Sequence, residues 1–329
     1  MAAPCQTLER AYRVASPGEV VQVAAGSYPK QFLTNDPSKT GQAWVVFRPA
    51  PGAAVNIAYF DVDGTDSVEF RDMTANGYYV RTGSDRVTFR NIRSSGNGHY
   101  VTGASNVSIL GGELHSIDSV DGLQVKSREG VDTTNLLIEG LTIRNVTRNR
   151  DPQAHTECIQ FTSGIRVIIR YCRFVDCSTQ GVFFKEASGG SIREVLVEYS
   201  WFGTITGFNT LIFDDGVSDA TARYNSFAQA PRLGHATTRN IAVYANAGVL
   251  ASCVSGTTYW RNVWTDAKCA STDLRADPRF LNLNGFDLRL SQGSPAVDRG
   301  DPSAHPAGDA FGRARPQGAA PDAGSHELR

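Results

Sequence analysis

The sequence predicts an all-β fold, a right-handed parallel β-helix built as one solenoid, with a short N-terminal capping helix and an irregular C-terminal cap. Two observations lead there. Seven stretches share one pattern, a turn, then alternating apolar and polar residues, then a second short apolar run. Their anchors are Val68, Val87, Val107, Leu136, Val167, Val195 and Ala220, spaced 19, 20, 29, 31, 28 and 25 residues apart. Period-2 alternation means strands with one buried face, and a repeat of that length with no helical period means a β-solenoid rather than an α-solenoid. A 329-residue chain would ordinarily suggest two domains, but a stack of coils grows along one axis and stays one unit.

The second run of each repeat supplies columns. Met73, Ile92, Leu141 and Cys172 share one position, and Ala75, Ser94, Ile143, Phe174, Phe202 and Phe227 another. Residues of one column should stack inward, one coil above the next, about 4.8 Å apart. A further strand follows in each coil. Leu123/Val125, Ile159/Phe161, Val182/Phe184 and Leu211/Phe213 should point inward, and Gln124, Gln160, Phe183 and Ile212 outward.

The ends follow a different logic, because an open solenoid end invites edge-to-edge pairing. Leu8, Ala11, Tyr12 and Ala15 form a helical stripe that Pro17-Gly18 stops, which makes an amphipathic plug. We divide the chain into an N-terminal cap and first coil (1–30), main coils (31–236), and irregular last coils with a C-terminal cap (237–329).

Charge is balanced, 32 Lys and Arg against 33 Asp and Glu, so nothing draws the chain to nucleic acid or an anionic membrane. No apolar run reaches the length of a membrane span. The six cysteines contain no C-x-x-C pair, which argues against a zinc site. Cys253 and Cys269 flank one loop-rich stretch, with a disulfide and two unlinked thiols both open, and Cys172 and Cys177 read as small core fillers. Nothing sets the oligomeric state; a monomer is the expectation.

Chemistry should sit between Asp118 and Asp215, where the coils lengthen. Extra residues in a coil become loops on one face, often the binding face, and the insertions fall at 113–121, 147–157 and 186–194. Aligning the strands places Asp121 and Glu157 one coil apart. Two stacked carboxylates repel unless they share a proton or bind a cation. One reading is therefore a Ca²⁺ site from Asp118, Asp121 and Glu157. A second is an acid/base pair for glycoside hydrolysis. A third is β-elimination on a uronate, which needs a base and a positive charge; Lys126, His155, Lys185 and Arg128 are the candidates, with Glu157 beside them. Gln124, Gln160, Phe183, Glu186, Asp214 and Asp215 line the same strand ends as candidate substrate contacts. Phe183, Phe208, Tyr79 and Trp201 are candidate sugar-stacking platforms, with Trp201 reading equally as core. His99 and His115 read as surface or turn residues.

The segment PGEVVQVAAGSY after the first helix resembles the N-terminal coil of extracellular parallel β-helix proteins, including many polysaccharide lyases. The far end, DPRFLNLNGFDLRLSQGSPAVDRGDP with DAFGRARP and PDAGSHE, is similar to the C-terminal segment of bacterial secreted β-helix proteins of the pectate-lyase-like superfamily. The strand VKS at 125–127 is similar to the lysine strand of alginate-type lyases of this fold. VDGLQVKS also resembles the aspartate strand of polygalacturonases, but their paired aspartates, Gly-His-Gly and Arg-Ile-Lys strings are absent, which argues against a pectin hydrolase. The resemblance implies a secreted or cell-surface protein and says little about reaction. The fold, the lengthened coils and the Asp/Glu/Lys/His cluster lead us to expect an enzyme that cleaves a polysaccharide, a lyase before a hydrolase, with a non-catalytic glycan-binding protein as the rival. The opening MAAPCQTLERAY carries no signal peptide, so secretion implies a mature chain.

Overall fold

The computed structural model describes residues 5–96, 98–187, 189–203, 205–250 and 252–328. Short parallel strands wind into coils whose sides form three sheets of 11, 12 and 9 strands among the described residues. Within each sheet, neighbouring strands are about one coil apart in sequence. The register is the one the alternation predicts: Val68 pairs with Val87, Val87 with Val107, Leu136 with Val167, Val167 with Val195 and Val195 with Ala220.

The interior is a set of stacked columns. Phe47, Phe70 and Phe89 lie with centroids 5.5 and 5.4 Å apart. Phe174, Phe202 and Phe227 follow at 5.1 and 4.9 Å, and Phe161 sits on Phe184 at 4.3 Å. Rings at the coil repeat offset-stack, which adds to the burial of their area. The column that begins with Met73, Ile92, Leu141 and Cys172 changes character further on. Ser200, Asn225, Asn246 and Asn262 continue it as a buried polar ladder. Each Asn side-chain oxygen accepts the backbone N–H of the residue one coil before: the Ser200 N–H donates to Asn225 at 3.0 Å, that of Asn225 to Asn246 at 2.9 Å and that of Asn246 to Asn262 at 3.0 Å. Asp273 ends the ladder on Asn262.

One corner of the coil recurs in the left-handed backbone region. Asp72, Asn91, Gly111, Gly140, Tyr171, Tyr199, Tyr224 and Ala245 all have φ between 51° and 69°. This turn between the first and second sheets is set by the coil, which imposes it even on tyrosine.

The helix Leu8–Val14 plugs the N-terminal end as expected, with Leu8, Ala11 and Tyr12 buried and Thr7 capping it on the Arg10 N–H. It is too short to cross a membrane, and no helix among the described residues is long and apolar enough to do so. At the far end two sides of the coil keep the register past 236, through Arg239–Tyr244, Thr257–Trp260 and Val263–Trp264, while the third sheet ends at Arg232–Leu233, so these last coils are incomplete. The C-terminal segment folds back along the outside of the second sheet. Ser325 bonds Ser226 across 99 residues, Tyr224 Oη donates to the Asp301 carbonyl, and Phe311 meets Trp201 edge-on at 5.2 Å. Trp201 is thus covered, not a free platform.

Cysteine usage is also corrected. Cys253 and Cys269 are bridged. Cys177 is not a lone filler: it is bonded to Cys158, tying the strand Glu157–Phe161 to Arg173–Cys177 on the adjacent sheet. Cys172 stays a buried thiol.

The ladder makes a clear test. Asn246→Ala orphans two buried N–H groups of Asn225, the backbone one and one of its side-chain amide, whose other bond to the Val197 carbonyl remains. At roughly 1–3 kcal/mol for each unsatisfied group, urea unfolding should show a loss of at least about 2 kcal/mol. Unchanged stability would mean the ladder is not load-sharing.

Candidate functional site

The outer face of the third sheet carries the site. Its outward column runs Phe32, Asp61, Tyr79, Tyr100, Gln124, Gln160, Phe183, Ile212 and Arg232, one residue per coil. At the edge of this face, Asp121 and Glu157 meet as expected. Asp121 Oδ1 accepts the Glu157 N–H at 2.9 Å, which sets the two carboxyls against each other. Glu157 is fully buried, and its Oε2 has no hydrogen-bond partner among the described residues. Two ionised carboxylates cannot share that contact, so one keeps a proton. Burial, reinforced by Asp121, pushes the Glu157 carboxyl far above the usual range. Gln180, the next residue of the column, faces the same carboxyl at 3.5 Å.

This buried pair has two arms. His155 Nδ1 lies 2.5 Å from Glu157 Oε1, while the ring itself is 56 % exposed. The carboxyl thereby selects the Nδ1–H tautomer and leaves Nε2 open. On the other side, Gln124 donates to Asp121 Oδ2 at 2.6 Å and accepts from Lys126 Nζ at 2.7 Å. Lys126 also lies over the Tyr100 ring at 5.3 Å and pairs with no carboxylate among the described residues. Arg128 donates to Tyr79 Oη at 3.0 Å and touches the exposed Glu129. Lys185 occupies the Lys126 column two coils on and is exposed. Gln160 is half-buried beside Gln124.

Several expected members lie apart. Asp118 is drawn to the 147–150 turn, where Arg150, the Asn149 amide and Thr147 take its carboxylate. Desolvation opposes ionisation there, but these donors outweigh it and hold the carboxyl at about 2. The three-carboxylate calcium site is therefore not assembled, and no group of three His, Cys, Asp or Glu among the described residues is placed to hold a metal. Glu186 accepts the Ile192 N–H and closes its own turn. Asp214 is buried on Arg232 at 2.7 Å, and Asp215 accepts from Thr237. Phe183 points outward as expected but is only 8 % exposed, with the His155 ring 6.4 Å away. Phe208 alone of the candidate platforms is widely open, 68 % exposed. The stretch Glu113–Asp118 is a strand rather than a loop. His99 is buried, bonded to the Gly122 carbonyl and Ser94 Oγ, so burial lowers its imidazole to about 4 and it is a core residue.

Sequence reading missed Gln124 as the link from Asp121 to Lys126, and missed Tyr59 and Tyr100. The signal was present, since carrying the outward column back through His99–Thr102 leads to Tyr100. Half-open hollows lie elsewhere: one of about 330 Å³ beside the N-terminal helix, another of about 450 Å³ on the outer second sheet lined by Asn56, Thr74, Arg93 and His115. The candidate site is an open face, which suits a polymer better than a small molecule.

With the geometry established, relatives can be compared. The family profile described as right-handed beta helix region matches residues 61–227, just over half of the chain, and the chain belongs to that family. A crystal structure of pectate lyase Pel9A aligns over 98 % of this chain and 91 % of that one, with a TM-score of 0.54 at 14 % identity. The fold is thus a right-handed parallel β-helix of the pectate-lyase-like type. No curated protein sequence matches the chain.

The shared proton has a signature. Glu157 holds it when folded at pH values where an unfolded Glu has lost it. Stability from this group is therefore full below the ordinary Glu range and falls as pH rises above it, by at most about 1.4 kcal/mol per unit. Glu157→Gln, neutral at every pH, should gain on the wild type as pH rises from 5 to 8 in thermal melts. Parallel curves would mean that no proton is shared.

Proposed function

We propose that the protein cleaves a uronate-containing polysaccharide by β-elimination on the outer face of its third sheet. One observation carries this reading: the buried Asp121–Glu157 pair orients His155 on one side and, through Gln124, Lys126 on the other. A base and an unpaired cation are what proton abstraction beside a carboxylate requires. In this scheme Lys126 and Arg128 neutralise the substrate carboxylate, which acidifies the adjacent C–H. His155 Nε2 takes that proton, the C–H electron pair becomes the ring C=C bond, and the C–O bond to the leaving sugar breaks. The imidazolium returns its proton to the leaving oxygen, so one proton moves from carbon to oxygen. Positive charge on the ring is stabilised by the carboxyl pair below it.

Glu157 then acts as a positioning residue, since it is buried beyond reach of substrate. The same burial disfavours glycoside hydrolysis, whose two carboxyls stand roughly 5–9.5 Å apart and flank the bond, whereas Glu157 is buried and Asp121 Oδ1 is taken by its N–H. Two disulfides suit an oxidising, extracellular location.

Mixing the protein with polygalacturonate, alginate and a glycosaminoglycan should give ultraviolet-absorbing unsaturated product from at least one of them. His155→Ala should lower kcat by about 10²–10⁴-fold, and Lys126→Gln should reduce kcat/KM. Reducing ends without unsaturation, or full activity in His155→Ala, would reject the scheme.

A further inference from the structure

The outward column does not end at Gln124. Three half-buried tyrosines lie on the N-terminal side of it, and each carries a cation on its ring. Lys30 Nζ is 5.7 Å from the Tyr59 ring centre, the Arg81 guanidinium 4.0 Å from that of Tyr79, and Lys126 Nζ 5.3 Å from that of Tyr100. Tyr79 and Tyr100 are one coil apart with centroids 5.3 Å from each other. Tyr59 reaches the same face because two glycines make room. A Cβ at Gly77 would stand 2.6 Å from its ring, and Gly98, at φ +97°, presents the carbonyl that accepts the Tyr59 hydroxyl at 2.8 Å.

The charge on this strip is positive. Asp61 is shared by Lys30 at 2.5 Å and Arg81 at 2.5 Å, so two cations are set against one carboxylate. Lys126 has none, and Arg128 adds a fourth cation on Tyr79 Oη, offset in part by the exposed Glu129. A cation held on an aromatic face stays charged and only partly solvated, ready for an anionic partner. The spacing excludes a compact anion as the best fit, because the charges and rings are spread over several coils at about 4.8 Å per coil. A chain with a carboxylate on each sugar presents both features together, apolar sugar faces for the rings and repeated negative charge for the cations.

The strip is one-sided. Past Gln160 the same column is covered, Phe183 and Ile212 being 8 % and 1 % exposed, and Arg232 is spent on Asp214. From these contacts we infer that Tyr59, Tyr79, Tyr100, Lys30, Arg81 and Arg128 form an extended subsite for an acidic glycan, running from the His155 centre toward the N-terminal end. This rests on the β-elimination reading for its choice of polymer. It adds that substrate is gripped mainly on one side of the bond that breaks.

Calorimetric titration with galacturonate and mannuronate oligomers, from disaccharides to long chains, tests it. Wild-type affinity should rise with chain length, fall with added salt, and be absent for neutral oligomers of equal length. In Tyr59→Ala/Tyr79→Ala the gain from long over short chains should shrink by about tenfold or more. Tyr100→Phe, which keeps the ring under Lys126, should retain it. Thermal melts of each variant establish that it is folded. Length-independent binding by the wild type, or an undiminished gain in the folded double variant, overturns the subsite. Length-dependent binding without unsaturated product would keep the subsite and reject the lyase chemistry. Turnover with a gain indifferent to the two alanines would do the reverse.

Discussion

The parallel hydrogen-bond ladder between successive coils governs this molecule. Each coil must return its backbone to the same place, so that every strand pairs with the strand one coil earlier and one coil later. The whole side-chain arrangement follows. A residue's column decides whether it is core, corner or face, and its neighbours are the same-column residues of adjacent coils. The corner must turn alike each time, which is why Tyr171, Tyr199 and Tyr224 accept a left-handed backbone that an isolated tyrosine avoids. The ladder also restricts variation in length. Extra residues cannot enter a strand without shifting its register, so they collect between strands or extend one coil side, as at 148–156 and in Glu113–Asp118.

That constraint creates the carboxyl pair. Asp121 and Glu157 are 36 residues apart, yet one coil apart in space. Burying two like charges is unfavourable, and a shared proton is the arrangement that avoids it. An apolar pair of similar volume would stabilise the coil at least as well. What the pair does that apolar residues cannot is hold a histidine tautomer and, through Gln124, a lysine. The disulfide from Cys158 to Cys177 sits on the residue next to Glu157 and anchors the strand that carries it. Rigidity thus accumulates where side-chain geometry matters most.

The same logic explains what could be seen in the sequence. Alternation and spacing showed the fold, the register of the seven anchors, and the inward or outward sense of Gln124, Gln160 and Phe183, because strand parity is local. They also brought Asp121 to Glu157, because column identity follows from register. They did not show cover. Phe183 has outward parity and is nonetheless shielded, and Trp201 is hidden under Phe311 from a segment more than a hundred residues later. They did not show where Asp118 would turn, since Arg150 competes for it from a loop without period. The Cys158–Cys177 bond joins two sheets across a corner, and column alignment within one sheet has no means of pairing them.

Function on such a scaffold depends on how side chains on one face are connected rather than on a cavity. The buried proton is the centre of that connection here. His155 Nδ1 lies against Glu157 Oε1, and the Glu157 N–H is held by Asp121 Oδ1. Asp121 in turn is joined through Gln124 to Lys126, so histidine and lysine are connected through one buried pair. Chains of this kind polarise one another in a poorly solvated setting. A histidine and a lysine, both positioned by the same carboxyl pair, form one unit built from two adjacent coils. The tyrosine strip extends that unit along the axis, because the ladder that aligned the carboxyls aligned the rings as well.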